Sequence, residues 1–246
     1  MSVDCLNCAS PITQNYCPNC GQKSSTHRYS IQHFIAHDFV HGIWHVDKGI
    51  LFTLKALIIR PGHSVREFIQ GKRVPYFSFV TLILLILTVS GLIAPYTHGN
   101  MSDLMPQGSR AMMTDIEKFI SAYPKVVLIT TIPVFSLFSF LWFRKAKLNY
   151  SEHLVLNSNR IIVELLIGLF ISVLSIFYTN AKVLLLYISL TVLLGLFYSI
   201  WFYYQFFSGF NYSKKTLLLR SILVLVSYYF LSFLIGVFFA LFKMKH

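Results

Sequence analysis

The sequence predicts an all-α polytopic membrane protein: about five transmembrane helices behind a small N-terminal four-cysteine zinc ribbon and juxtamembrane amphipathic helices. Three observations lead there. Of 246 residues, 55% are hydrophobic and only 12% charged, against roughly 25% charged in a soluble domain. Five apolar runs, about 77–95, 125–143, 161–179, 182–206 and 217–242, are each long enough to cross some 30 Å of hydrocarbon. All four cysteines fall in the first twenty residues. A single water-soluble fold and a disordered chain are both excluded by this composition. The expected division is a ribbon over 1–28, cytoplasmic juxtamembrane helices over 29–76 and a transmembrane bundle over 77–246.

The ribbon comes first. Cys5-Leu-Asn-Cys8 and Cys17-Pro-Asn-Cys20 are separated by eight residues. Two such pairs on separate turns suit a tetrahedral four-thiolate zinc site, because the amides of each turn can hydrogen-bond the sulfurs. Gly21 suits a left-handed backbone. A segment this short cannot build its own core, so the metal would supply most of its folding free energy. A pair of disulfides or redox-active pairs is the competing reading. Adjacent cysteines bridge with strain, however, and no secretory signal precedes them. Four thiolates leave no open position for water, so the Zn2+ is structural, and free thiolates imply a reducing, cytoplasmic N-terminus.

Residues 30–46 then read as an amphipathic helix. Ile31, Ile35, Phe39, Ile43 and Val46 share one arc and His33, His37, His41 and His45 run along another. The histidine stripe admits a solvated polar face, a pH-responsive face or a metal pair. Asp47 is expected to cap a twelve-residue apolar helix, 48–59, too short to span and broken by Arg60-Pro61-Gly62. Ser64-Val65-Arg66-Glu67 has the form of a capping box with Ser64 at the N-cap, opening a third short helix that ends near Gly71. Lys72 and Arg73 follow.

The spans come next. A tight link at Asn180–Lys182 makes the third and fourth a hairpin. The first lies too far into the chain to be a signal peptide. A loop over about 96–124 contains a short polar helix candidate near 114–122. Lysines and arginines, 21 against nine acids, set orientation: fifteen fall on the side of the ribbon and six on the other. The positive-inside rule places the larger set, and the N-terminus, in the cytoplasm. Glu164 is the one acid expected inside a span, either paired with Arg160 at the interface or serving a proton or ion path. Pro133 can kink the second span.

Asp47 through Thr53-Leu54, Arg60-Pro61-Gly62, Gly71-Lys72-Arg73 and Tyr76, with the ribbon ahead of them, resemble an uncharacterised bacterial membrane-protein family catalogued as domain of unknown function 3667. The resemblance covers about the first 85 residues. It departs at Phe79, where the family commonly has proline. It implies a bacterial inner-membrane protein but brings no activity. It adds weight to Arg60, Lys72 and Arg73 as contacts for lipid headgroups or a partner; a pure topology signal is the alternative.

No Ser-His-Asp order, paired carboxylates or phosphate-cradling glycine loop occurs, so the expected function is non-enzymatic: a scaffold, sensor or recruitment protein. Its expected partners are membrane lipids and a cytoplasmic protein, with room for a homo-oligomer. A small transporter or channel using Glu164, Pro133 and the histidine stripe is the alternative. An enzyme acting on lipid-linked substrates through His37, His41 and His45 ranks third. Nucleic acid is disfavoured, because Lys23 and Arg28 are the only basic residues at the ribbon and lie at its end.

Overall fold

A computed structural model describes residues 3–26, 28–30, 49–97, 102, 107–178 and 180–245. The histidine stripe (His33, His37, His41, His45), its helix and Asp47 lie outside the described residues.

The ribbon carries two short antiparallel strands, β1 (Val3–Asp4) and β2 (Pro11–Ile12), paired Val3 to Ile12. Among the described residues eight α-helices follow: α1 (Ile50–Ile59), α2 (Pro61–Ile69), α3 (Phe79–Ile93), α4 (Gln107–Ala122), α5 (Pro124–Trp142), α6 (Tyr150–Phe177), α7 (Ala181–Phe207) and α8 (Lys214–Lys245). Among the described residues, five helical segments are long and apolar enough to cross a membrane. They are α3 with its 3-10 extension to Tyr96, and α5 to α8. The chain is thus an all-α multi-pass membrane protein. α5, α6, α7 and α8 close a ring of neighbours, α3 packs outside on α6, and the α1–α2 hairpin lies on α6 and α7.

Several boundaries differ from expectation for definite reasons. The third span begins at Tyr150, eleven residues early, because Asn149 and Glu152 form a reciprocal capping box. Arg160 is therefore inside the bundle and not in a loop. The capping box expected at Ser64 does not form. Pro61 occupies the first turn of α2, where its missing N–H costs nothing. The Ser64 hydroxyl donates backward to the Arg60 carbonyl at 2.9 Å. The loop helix α4 is longer than expected, beginning at Gln107. In α5, Pro133 cannot donate to the Ile129 carbonyl, and its own carbonyl accepts from the Tyr150 hydroxyl at 3.0 Å.

Packing is uneven along the membrane helices. At the ribbon end the core is dense: Phe143 stacks on Phe207 with ring centroids 3.6 Å apart, and Phe202, Tyr203, Phe206, Val155 and Ile162 are fully buried. At the far end, Phe170, Phe177, Leu186, Phe230 and Phe238 are exposed, as lipid-facing side chains would be.

Candidate metal centre and its docking on the bundle

Each cysteine pair forms the same knuckle. The Ala9 amide donates to the Cys5 carbonyl at 2.8 Å and the Cys5 amide to the Ser10 carbonyl at 2.9 Å. Twelve residues on, Gly21 donates to Cys17 at 2.9 Å and Cys17 to Gln22 at 2.8 Å. The turn needs a left-handed residue after its second cysteine, and both knuckles have one: Ala9 at φ 58° and Gly21 at φ 74°. Glycine enters this conformation freely, whereas alanine is strained there.

The four sulfurs converge, all lying within 4.8 Å of one another. Cys5 and Cys20 Sγ are 3.6 Å apart, and Cys8 and Cys17 Sγ 3.5 Å. Tetrahedral thiolates about 2.3 Å from a metal are about 3.8 Å from each other, so the set fits one ion. All four cysteines are free, not paired as disulfides. Hydrogen bonds from Ser10 pull the Cys8 thiol down to about 6, while burial pushes Cys20 up to about 11. A dication among them would favour the thiolate at both positions.

The cluster is a small body pinned to the ribbon end of the bundle. Leu6, between the first two cysteines, lies against Gly71. The Gln22 side-chain carbonyl accepts from the Arg73 amide at 3.3 Å. Arg28 makes a two-pronged contact with Glu152, Nε to Oε1 at 2.6 Å and an Nη to Oε2 at 2.8 Å. Its second bond from that Nη reaches the Lys147 carbonyl at 2.8 Å. The Glu152 carboxylate is buried and also accepts from the Asn149 amide at 2.8 Å, so one carboxylate caps α6 and anchors the ribbon. Asn149 Nδ2 in turn donates to the Tyr29 carbonyl at 2.8 Å.

The α1–α2 hairpin supplies the platform. A Cβ at position 62 would fall on the Phe206 amide and within 2.7 Å of the Phe202 carbonyl oxygen, so only glycine lets α2 approach α7. Gln205 uses that closeness, its side-chain oxygen accepting from the Gly62 amide at 2.9 Å. The Arg66 guanidinium donates to the Phe206 carbonyl at 2.9 Å, satisfying the end of α7. Thr53 accepts from the Phe77 amide at 2.7 Å, fixing the turn into α3.

The basic candidates separate in this setting. Arg60 pairs with Glu67 at 3.3 Å, and the Tyr76 hydroxyl reaches the same carboxylate at 3.4 Å. The Arg73 guanidinium lies 4.0 Å over the Tyr29 ring, a cation–π contact. Lys72 is exposed. Arg60 and Arg73 hold the platform together; Lys72 points outward.

Glu164 is brought into a buried polar network that sequence reasoning resolved only as its pair with Arg160. Arg160 is 1% exposed and bonds to Glu164 and, at 2.7 Å, to the Ser199 hydroxyl. Ser199 donates to Glu164 at 2.6 Å, and the Phe135 ring lies 3.9 Å from the guanidinium. Asn157 accepts from Tyr203 at 2.5 Å and from Arg160 Nε at 3.4 Å, and donates to Ser139 at 3.1 Å. Ser139 lies 2.8 Å from His153 Nδ1. The Asn-x-x-Glu signature at 149–152 was the available signal that this polar stretch is helical.

The family described as Protein of unknown function (DUF3667) matches residues 47–91. The matched stretch covers α1, α2 and most of α3, including Thr53, Arg60 to Gly62, Gly71, Arg73 and Tyr76; the ribbon lies outside it. No curated protein and no solved structure matches the chain.

Proposed function

We propose that this chain is a non-enzymatic protein of the bacterial inner membrane, with its N-terminus in the cytoplasm and a structural zinc ribbon serving as a docked sensor and recruitment module. The observation that carries the reading is the two-pronged contact of Arg28 with the buried Glu152. It couples a metal-dependent fold directly to the first turn of the central helix α6. Zinc is favoured by four converging thiolates. The orientation is supported by Arg144, Lys145 and Lys147, in the link between α5 and α6, and by Lys214 and Lys215, which open α8 at the same end of the bundle.

Ribbon residues Leu6 and Tyr16 remain 49% and 56% exposed and are the natural contact points for a partner. Photo-crosslinking from Tyr16 of the full chain in native membranes tests recruitment. The reading expects a discrete adduct that disappears in Cys8→Ser; adducts that are absent, or indifferent to the metal site, would contradict it. The transport reading draws on one observation, the Arg160–Glu164–Ser199 cluster within a span. Proteoliposome flux lost in Glu164→Gln would favour it, and an unchanged leak would remove it.

A further inference from the structure

A cavity of about 330 Å³ opens where the ribbon meets the bundle. Its walls come from Leu6 of the ribbon, the end of α2, the turn before α6 and the end of α7. Three cations line it, Arg28, Arg66 and Lys147, against one carboxylate, Glu152. Arg28 spends two of its nitrogens on Glu152 and the Lys147 carbonyl, yet its side chain stays 59% exposed.

The position of Arg66 decides the chemistry. Its bonds go to the Phe206 carbonyl at 2.9 Å and the Gln205 carbonyl at 3.4 Å, and His63 Nδ1 lies 2.7 Å away. Those partners are neutral carbonyls and an imidazole that accepts, while the neighbouring Glu67 pairs with Arg60. A partly buried guanidinium is thus held rigidly with no carboxylate bonded to it, Glu67 acting on it only through space, and the exposed Lys147 stands on the same cavity. With Glu152 already bonded to Arg28, Arg66 and Lys147 leave the cavity with excess positive charge, which suits an anion. Ile69, Leu148 and Phe210 give the remaining wall an apolar surface.

We propose that this cavity binds the phosphate headgroup of an anionic phospholipid, with the phosphate between Arg66 and Lys147 and the glycerol end against Phe210. The cavity volume is at the lower end of the ligand-site range, and basic pockets between helix ends on the cytoplasmic side suit lipid headgroups. A soluble phosphate compound could make the same polar contacts but would leave the apolar wall uncovered. The proposal rests on the reading of the ribbon end as the cytoplasmic face of a membrane protein.

The test uses the full chain with its metal, purified in detergent and exchanged against phosphatidylglycerol or phosphatidylcholine, with retained lipid counted by native mass spectrometry. Phosphatidylglycerol should be retained in preference. Lys147→Asn removes the charge with a residue that tolerates the left-handed backbone at φ 54°, and should weaken retention about fivefold. Gln70→Glu adds an acid to the wall from an exposed position and should do the same. Lys215→Gln, exposed but outside the cavity, should leave retention unchanged. Equal retention of the two lipids, or variants indistinguishable from Lys215→Gln, would overturn the site. Displacement of the lipid by glycerol 3-phosphate would overturn the lipid assignment. Zinc content is measured on the same samples: a chain with one zinc but no lipid preference loses only this site, whereas a chain without zinc loses the underlying reading.

Discussion

Ala9 holds a backbone conformation that its symmetry mate Gly21 holds without strain. Ala9→Gly should therefore stabilise the ribbon by about 1 kcal/mol, seen as slower zinc loss to a competing chelator; faster loss would refute the matched-knuckle account. Arg160 and Glu164 illustrate a different economy, since the pair is buried at one end and shared with Ser199. Glu164→Leu leaves a buried cation and should lower stability by about 3 kcal/mol. The double change Arg160→Leu/Glu164→Leu should cost less than that single change, a sign reversal from additivity that thermal unfolding in detergent can measure. His63 gives a pH signature. Burial holds its imidazole below its usual pKa, with help from the charges of Arg66 and Arg60 and opposition from Glu67. The unfolded chain takes up this proton near pH 6.5 (roughly, for an unperturbed imidazole), so stability should fall as pH drops through that value. His63→Gln keeps an acceptor for Arg66 and should flatten that part of the Tm-against-pH curve.

Between elements, the junction of α2 with α7 is governed by one hydrogen atom at Gly62. Gly62→Ala forces the helices apart and strips the Gln205 bond, for a loss of about 1–3 kcal/mol; an unchanged Tm would refute this packing. The sequence spoke clearly wherever composition alone decides. Five apolar runs and two C-x-x-C pairs announce themselves, and the observed spans begin and end within a few residues of expectation except in α6. Its early start is hidden from a hydropathy reading, which assigns the polar run of Glu152, His153, Asn157, Asn159 and Arg160 to a loop. Asn159 donates to the Val155 carbonyl of its own helix and Glu152 bonds to Arg28, while His153, Asn157 and Arg160 are buried against partners on α5 and α7, namely Ser139, Ser199 and Tyr203. Such partners are distant in sequence and leave no local mark. The capping box shows the same limit. Ser64-x-x-Glu67 and Asn149-x-x-Glu152 fit one pattern, but Pro61 claims the first turn of α2 and makes the former an interior segment. Arg60, Lys72 and Arg73 looked alike as surface cations, yet two of them are used inside the platform.

Across the whole molecule, packing density falls from the ribbon end toward the far end, where large apolar side chains face outward. The thiolate cluster, the Gly62 contact, the buried network of α6 and the basic cavity all lie at the dense end. The ribbon is the outermost layer of that end, tied through Gln22 to Arg73 and through Arg28 to Glu152. On the proposed reading its fold depends on metal, which makes metal the control on that layer. Hydrogen exchange of the full chain in nanodiscs, with and without a zinc chelator, tests this most directly. The account predicts that chelation accelerates exchange in the ribbon and also at the Arg73 amide, which donates to Gln22, and across residues 147–153, while α7 and α8 stay protected. Acceleration confined to residues 3–26, with Arg73 and the start of α6 unchanged, would contradict it.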